Sequence, residues 1–332
     1  MAKFIGLDIT SDTLSIYEPG EGVTFSEENC ACVDIVSREV LAVGRAARTL
    51  ADNTPGAVDL INGIYSATSI NKEMVAMNIA QAFHAIRIKK PSVIIARRKD
   101  EKPEMIISLA NMLFESGARE VFTVDTMSAC SLGSGVLVSD KRCMIACDIE
   151  DDFTVIALMK GCVNKASKTL PFSIEKLLEV ITTYVKNEKS AVITRDTAKS
   201  ILEYSVSTKP QFEYEGCNFI GKNIITGLPV GLNLDSEQIK ALIAPYIKYL
   251  CDNIKLLYDG LSPDIRLQVE DKGLLLSGNS YFATLLKYYI EETTGLHVSI
   301  SENGKFSSLM GIGEIIEHID VFDVLLKKLT DE

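Results

Sequence analysis

The sequence predicts a two-lobed α/β protein on three observations: a strand–turn–strand hairpin near residue 4, a second of the same form about 140 residues later, and alternating strands and helices elsewhere. Phe4 to Ile9 is apolar, Leu14 to Tyr17 is mostly so, and the polar turn Thr10-Ser11-Asp12-Thr13 separates them. In mid-chain, Met144-Ile145-Ala146-Cys147-Asp148 leads through Glu150-Asp151-Asp152 into Thr154-Val155-Ile156-Ala157-Leu158. Each hairpin has an aspartate near the end of its first strand. The pattern suggests two related lobes facing each other.

The other elements follow from local signals. Ser92 to Ala96 reads as a buried strand. Pro103 opens a helix that runs to about Glu115, with Met105, Ile106, Leu109, Met112 and Leu113 on one side and Gly117 past its end. Val121 to Val124 is the next strand. Helices are expected near Ile174 to Lys186, Thr197 to Tyr204 and Ser236 to Gly260, the last bent at Pro245. Gly273 to Gly278 is a strand entering a turn, Tyr281 to Glu292 a helix, and Leu309 to about Lys328 a terminal helix. The Met74, Met77 and Ile79 stretch and the Ile247, Leu250, Ile254 and Leu257 stripe read as core.

At 332 residues and 47% hydrophobic content the chain is long for a single compact unit, which fits two lobes. Its 34 basic and 45 acidic residues give a net charge of −11, so no broad basic field exists to hold a nucleic acid. There are eight cysteines but no Cys-x-x-Cys pair, and only His84, His297 and His318 could complete a metal site. The cysteines read as small buried hydrophobes in a reducing compartment, and His297 and His318 as structural or surface residues. There is no charged region followed by an apolar stretch at the start, and no apolar run nears the roughly 18 residues of a spanning helix. A soluble, cytoplasmic protein is expected.

Several short motifs are more specific. Val40-Leu41-Ala42-Val43-Gly44, Thr54-Pro55-Gly56, Gly117-Ala118-Arg119-Glu120-Val121-Phe122, Gly227-Leu228-Pro229, Glu291-Glu292-Thr293-Thr294-Gly295 and Gly311-Ile312-Gly313 occur in one order over nearly the whole chain. In order and spacing they resemble the bacterial MreB family. The resemblance implies an actin-like fold of two lobes, each with inner and outer subdomains, and ATP with Mg²⁺ in the cleft between them. Lobe I would be residues 1–142 (outer subdomain about 30–70), completed by a C-terminal helix at about 309–332, and lobe II 143–308 (outer subdomain about 170–235).

The same resemblance shows where the cleft departs from the family. Intact members wrap phosphate with glycine, threonine and asparagine in the first turn, where this chain has Thr10, Ser11, Asp12 and Thr13; losing the glycine restricts close backbone approach. Asp8 and Asp148 match the aspartates that order water around the metal. The family's Asp-x-Gly-Gly-Gly-Thr cradle becomes Asp148-Ile149-Glu150-Asp151-Asp152-Phe153-Thr154, with carboxylates where amides should meet an anion. Two like charges 4 Å apart repel by about 1 kcal/mol in water and about 4 kcal/mol at an effective dielectric of 20. The family's catalytic Glu-Glu-Pro corresponds to Asp125-Thr126-Met127, and its nucleoside-contacting Glu-Arg-Ile-Lys to Lys199-Ser200-Ile201-Leu202. The turn beside adenine corresponds to Gly278-Asn279-Ser280-Tyr281, and a turn near the base to Ser173-Ile174-Glu175.

Some residues admit two readings. Glu150 to Asp152 suit a divalent cation or, more simply, form a solvated hairpin tip. Asp125 is either a shortened catalytic base or a relic, and Thr126 supplies no base. Ile86, Arg87, Ile88, Lys89 and Lys90 suit an anionic membrane surface or an ordinary helix end. The resemblance implies a filament-forming cytoskeletal protein, self-assembling or paired with an intact MreB paralogue, with weakened ATP or ADP binding and weak or no hydrolysis. A working ATPase with altered contacts and a small-molecule kinase of the same superfamily are the alternatives. The inner face of the cell membrane is the place such a filament would occupy.

Overall fold

The computed structural model describes residues 3–54, 57–62, 71–206, 217–279 and 282–329. Its first part holds strands β1 (Phe4–Ile9), β2 (Thr13–Glu18), β3 (Gly22–Glu28), β4 (Cys30–Asp34), β5 (Val40–Val43), β6 (Val58–Asn62), β7 (Ser92–Arg97) and β8 (Glu120–Asp125). Helices α1 (Arg45–Asn53), α2 (Lys72–Ala85), α3 (Pro103–Glu115) and α4 (Thr126–Gly133) belong with them. The later strands are β9 (Cys143–Ile149), β10 (Thr154–Lys160), β11 (Val163–Leu170), β12 (Ala191–Val192), β13 (Cys217–Asn223), β14 (Pro229–Leu234), β15 (Leu274–Gly278), β16 (Val298–Ile300) and β17 (Lys327–Leu329). The later helices are α5 (Ile174–Lys189), α6 (Arg195–Val206), α7 (Ser236–Asp259), α8 (Pro263–Lys272), α9 (Ala283–Thr294), α10 (Ser307–Glu317) and the short α11 (Ile319–Phe322).

Among the described residues the strands form four sheets, two large and two of three strands. The large sheets repeat one plan. In the first, β3, β2 and β1 run antiparallel, and β7 and β8 continue parallel to β1; in the second, β11, β10 and β9 run antiparallel, and β15 and β16 continue parallel to β9. The two expected hairpins therefore start the same sheet order in each half. The small sheets β5-β4-β6 and β12-β13-β14 lie outside this plan.

Parallel central strands are covered on both faces, which is why β7, β9 and β15 are apolar nearly throughout. Ile5, Leu7, Leu14, Val93 and Leu113 pack in the core of the first body. Ile145, Cys147, Phe172, Ile247, Leu250, Ile254 and Leu276 pack in that of the second. The cysteines with described side chains are all free and buried, in keeping with their reading as small hydrophobes.

The chain leaves the first body through α4 and returns to it through α10, and these helices cross in close contact. A Cβ on Gly133 would lie 1.9 Å from the Ser307 carbonyl oxygen, and one on Gly311 would lie 1.8 Å from that of Ala129. Only backbone is there to meet it, so neither helix can yield by turning a side chain. Gly311→Ala is therefore expected to destabilise the protein by about 3 kcal/mol or more in urea unfolding, the upper range for overpacking.

One expected element differs. The terminal helix does not reach Lys328: α10 ends at Glu317, a short helical stretch follows, and Lys327 to Leu329 form β17, antiparallel to Val121 to Thr123 of β8. Glu317 turns back, its carboxylate accepting from the Gly20 amide at 2.7 Å and the Tyr17 hydroxyl at 3.2 Å. Beyond it Phe322, Leu325 and Leu326 pack into the cluster around Leu309 and Ile312. β8 would otherwise expose a row of unpaired backbone groups at a sheet edge, and β17 satisfies it. The helix expected from Tyr281 corresponds to α9, Ala283–Thr294; residues 280 and 281 lie outside the described residues.

Candidate functional site

The turns of the two hairpins meet around one small cavity of about 40 Å³, lined by Asp8, Thr10, Ser11, Thr126, Glu150 and Asp152 among others. That volume suits a few waters. All six are among the residues singled out in the sequence, and the cavity is also walled by Arg98, Glu101, Phe153 and Ser308. The run Arg97-Arg98-Lys99 was the signal for the first of these, three cations beginning with the last residue of β7.

The first turn satisfies its own backbone. Thr10 Oγ1 accepts from the amides of Asp12 at 3.2 Å and Thr13 at 3.1 Å, and the Thr10 amide donates to the Thr13 carbonyl at 2.8 Å. Asn29 fastens the turn from outside, its amide donating to the Asp12 carbonyl at 2.8 Å and its side chain to the Thr10 carbonyl. Amides that could point at an anion are thus directed at oxygens of the turn itself.

The second turn is not a solvated tip. Glu150 is 7% and Asp151 6% exposed, Asp148 is buried, and Thr154 is sealed with its hydroxyl donating to the Phe172 carbonyl at 2.9 Å. The reason is local geometry. The Glu150 amide donates to Phe153 O, the Asp151 carbonyl accepts from the Glu175 amide at the start of α5, and Asn279 donates through its amide to Ile149 O and through its side chain to Asp151 Oδ1. Gly278, with φ +90°, allows this approach: a Cβ there would stand 2.1 Å from Ile149 O.

Buried carboxyls this close favour their protonated forms. Burial, then the Asp148 charge, push Asp8 up to about 7 against a hydrogen bond from the Ile9 amide. Burial raises Asp148 too, opposed by hydrogen bonds from Ser277, Cys130 and Glu150; the Ser277 hydroxyl donates to Asp148 Oδ1 at 2.7 Å. Glu150 lies well above the usual carboxylate range through burial and then the charges of Asp148, Asp8, Asp151 and Asp152. Asp151 is pushed up to about 6 by burial and Asp12, with Asn279 and Arg195 pulling it down. Among the described residues no group of three or more His, Cys, Asp or Glu side chains is arranged to hold a metal ion.

Asp125 is engaged elsewhere. It caps α4, accepting from the Ser128 amide at 3.0 Å and hydroxyl at 3.2 Å, and both its oxygens accept from Asn164 Nδ2 at 3.1 Å. Its role is to fix the start of α4 against β11, whereas Thr126 faces the cavity.

The nucleoside-side expectation changes as well. Ile201 and Leu202 are fully buried in the second core, so they are packing residues; Ser200 is exposed and Lys199 is half-buried on the same helix. Ser173 caps α5, accepting from the Lys176 amide at 3.1 Å, and Glu175 holds Arg195. Ser280 and Tyr281 lie outside the described residues, as do Pro55 and Gly56.

In the basic stretch after α2, Ile86 is buried in the first core and Ile88 packs partly against it. The two apolar side chains expected to enter a membrane therefore face inward, because Ile86 ends the buried face of α2. Arg87, Lys89 and Lys90 are what the surface presents. No described helix is long and apolar enough to cross a membrane.

The profile of the MreB/Mbl protein family matches residues 2–324. This chain belongs to the MreB/Mbl family. It is 20% identical over 323 residues to the cell shape-determining protein Mbl of Bacillus subtilis (strain 168), covering 96% of this chain and 97% of that protein. It is 23% identical over 327 residues to the cell shape-determining protein MreB of Escherichia coli (strain K12), covering 96% and 94%. Among solved structures, MreB 5 of Spiroplasma citri bound to AMPPNP superposes with a TM-score of 0.86 at 18% identity, over 98% of each chain. The MamK double helical filament gives 0.74 at 15%, over 96% of this chain and 99% of that one. The fold is the actin-like one.

Within this MreB/Mbl fold the first turn directs the amides of Asp12 and Thr13 at Thr10 Oγ1, and the second hairpin buries the carboxyls of Asp148, Glu150 and Asp151.

Proposed function

We propose that this chain is a cytoskeletal subunit that assembles into filaments, alone or with an intact MreB paralogue, in cell shape or intracellular organisation. ATP or ADP with Mg²⁺ binds weakly in this reading, and hydrolysis is slow or absent. The observation that carries it is the pairing of a family-wide actin-like fold with hairpin turns closed upon themselves. Its relatives support assembly: Mbl and MreB are named as cell shape-determining, MreB 5 of Spiroplasma citri was solved with AMPPNP and with ADP, and MamK was solved as a double helical filament.

We take residues 1–142 with the C-terminal segment as one lobe and 143–308 as the other. Ile220, Ile224, Ile225 and Leu228 stand exposed around the β13–β14 turn, on a small sheet outside the cleft, an apolar group of the kind that marks an association surface. The cytoplasm is the proposed location, with contact to the inner membrane face limited to attraction between Arg87, Lys89 and Lys90 and anionic lipid.

High-speed sedimentation and electron microscopy across a concentration series, with and without ATP, test this. The expected result is a polymer whose amount rises with concentration and changes little with ATP. A chain that stays monomeric at high concentration and fails to co-sediment with an intact MreB would refute it.

A further inference from the structure

Side chains from the two bodies reach across the cleft on both sides of the acidic turn. On one side is Arg195, the first residue of α6. Its Nε donates to Glu175 Oε1 at 2.6 Å, and its Nη2 pairs with Glu175 and stands 3.4 Å from Asp12 Oδ1 in the first hairpin turn. The guanidinium thus joins a carboxylate of the second body to one of the first. Asp151 also lies within its field. Beside it the pattern is repeated with opposite signs: Arg48 on α1 pairs with Glu28 and is attracted by Asp196, the next residue of α6. A space of about 170 Å³ separates these groups, walled by Asp12, Arg48, Glu175 and Arg195.

On the other side, the Arg98 guanidinium lies 4.2 Å from the centre of the Phe153 ring, and Lys99 Nζ donates to the Asn164 carbonyl at 2.6 Å. Asn164 also holds Asp125 through both carboxylate oxygens. Arg98 and Lys99 follow β7 and Asp125 ends β8, both in the first sheet, whereas Phe153 lies in the β9–β10 turn and Asn164 in β11 of the second.

We infer that these contacts, with Arg195 as the bridging cation, hold the two bodies closed, so that closure is a property of the chain itself and requires no nucleotide. The inference rests on the reading of the cleft as one that takes nucleotide poorly. Arg195 supplies between the two turns a positive charge that faces carboxylates from both, and a planar fork of donors is suited to holding two acceptors at once.

The test measures the separation of the bodies directly. Cysteines placed by Val36→Cys, in the turn of one small sheet, and Glu188→Cys, on α5 beside the other, both at exposed positions, carry spin labels in full-length protein diluted into unlabelled chain. Double electron–electron resonance should give one narrow distance distribution, unchanged by Mg-ATP. Arg195→Ala should shift it to longer, broader distances, Arg195→Lys should restore it in part, and the isosteric Asp12→Asn should reproduce the opening with little risk to folding. Distributions for Arg195→Ala and Asp12→Asn that superpose on the wild type would overturn the inference, as would a wild-type distance that shortens on adding Mg-ATP. Sedimentation of the same proteins separates the two claims: opening in the variants without any wild-type polymer refutes the filament reading alone, and wild-type polymer with unmoved distances refutes the clamp alone.

Discussion

On the proposed reading, Mg-ATP should give phosphate release at least about a thousandfold slower than from an intact MreB, the loss expected when positioning and preorganised electrostatics are both absent. Isothermal titration should show binding weaker than about millimolar, an interaction under about 4 kcal/mol. Two features act together. The amides of Asp12 and Thr13 are held by Thr10 Oγ1, and Glu150 and Asp151 are buried where an anion would arrive. The carboxyls are the larger obstacle: a protonated one offers phosphate no counter-charge, and one left ionised about 4 Å from a phosphate charge repels it by about 4 kcal/mol at an effective dielectric of 20. Replacing Glu150, Asp151 and Asp152 together by Gly should therefore tighten the titration at least about tenfold, or about 1.4 kcal/mol. An unchanged titration would place the obstacle in the first turn.

Acidification should stabilise the protein. Asp8 at about 7, Asp151 at about 6 and Glu150 well above its ordinary value all bind protons more tightly folded than unfolded. The folded state then carries more protons than the unfolded one between the ordinary carboxylate range and about pH 7, so stability falls as pH rises through that window. Each unit of upward shift corresponds to about 1.4 kcal/mol, discounted here because these groups relax together. A net gain of about 2 kcal/mol from about pH 8 to about pH 5.5 would raise the melting temperature by about 3 °C. Further acidification should reverse the trend. Glu120, held down to about 2 by hydrogen bonds from Lys328, Ser92 and Arg119, and Asp140, lowered by Arg142 and Lys272, contribute stability that is lost as they protonate. Differential scanning fluorimetry across pH checks the profile, and Glu150→Gln should flatten its upper arm. A melting temperature that falls steadily from pH 8 to 5.5 would contradict the raised carboxyls.

Much of this was legible in the residues. Hairpin strands, α3 with Pro103 at its start, and the order of motifs required only local pattern, and each lies where period and capping placed it. The terminal segment was misread because Leu325, Leu326 and Leu329 continue an apolar pattern that suits helix and strand alike. Only the open edge of β8, a tertiary fact, decides between them. Burial of the acidic turn was hidden for the same reason, since three successive carboxylates look solvated until α5 and Asn279 close over them. Ile201 and Leu202 were assigned by position in a motif when their apolar character already pointed to the core. Arg195 was missed because its pairing with Asp12 joins residues far apart in sequence, and Arg98 because the run of cations that marks it does not reveal the Phe153 ring it meets.

The contact of α4 with α10 also bears on how the chain can be cut. The stretch after Gly135 is exposed at Leu137 and Val138, and it is the link between α4 and the second body. Were that link severed, α4 would still be packed against α10 through Gly133 and Gly311, and β17 would still close the edge of β8. The two pieces so made would each contain one large hairpin and would share a buried seam. A chain split in that loop is therefore expected to reassemble through the α4–α10 seam.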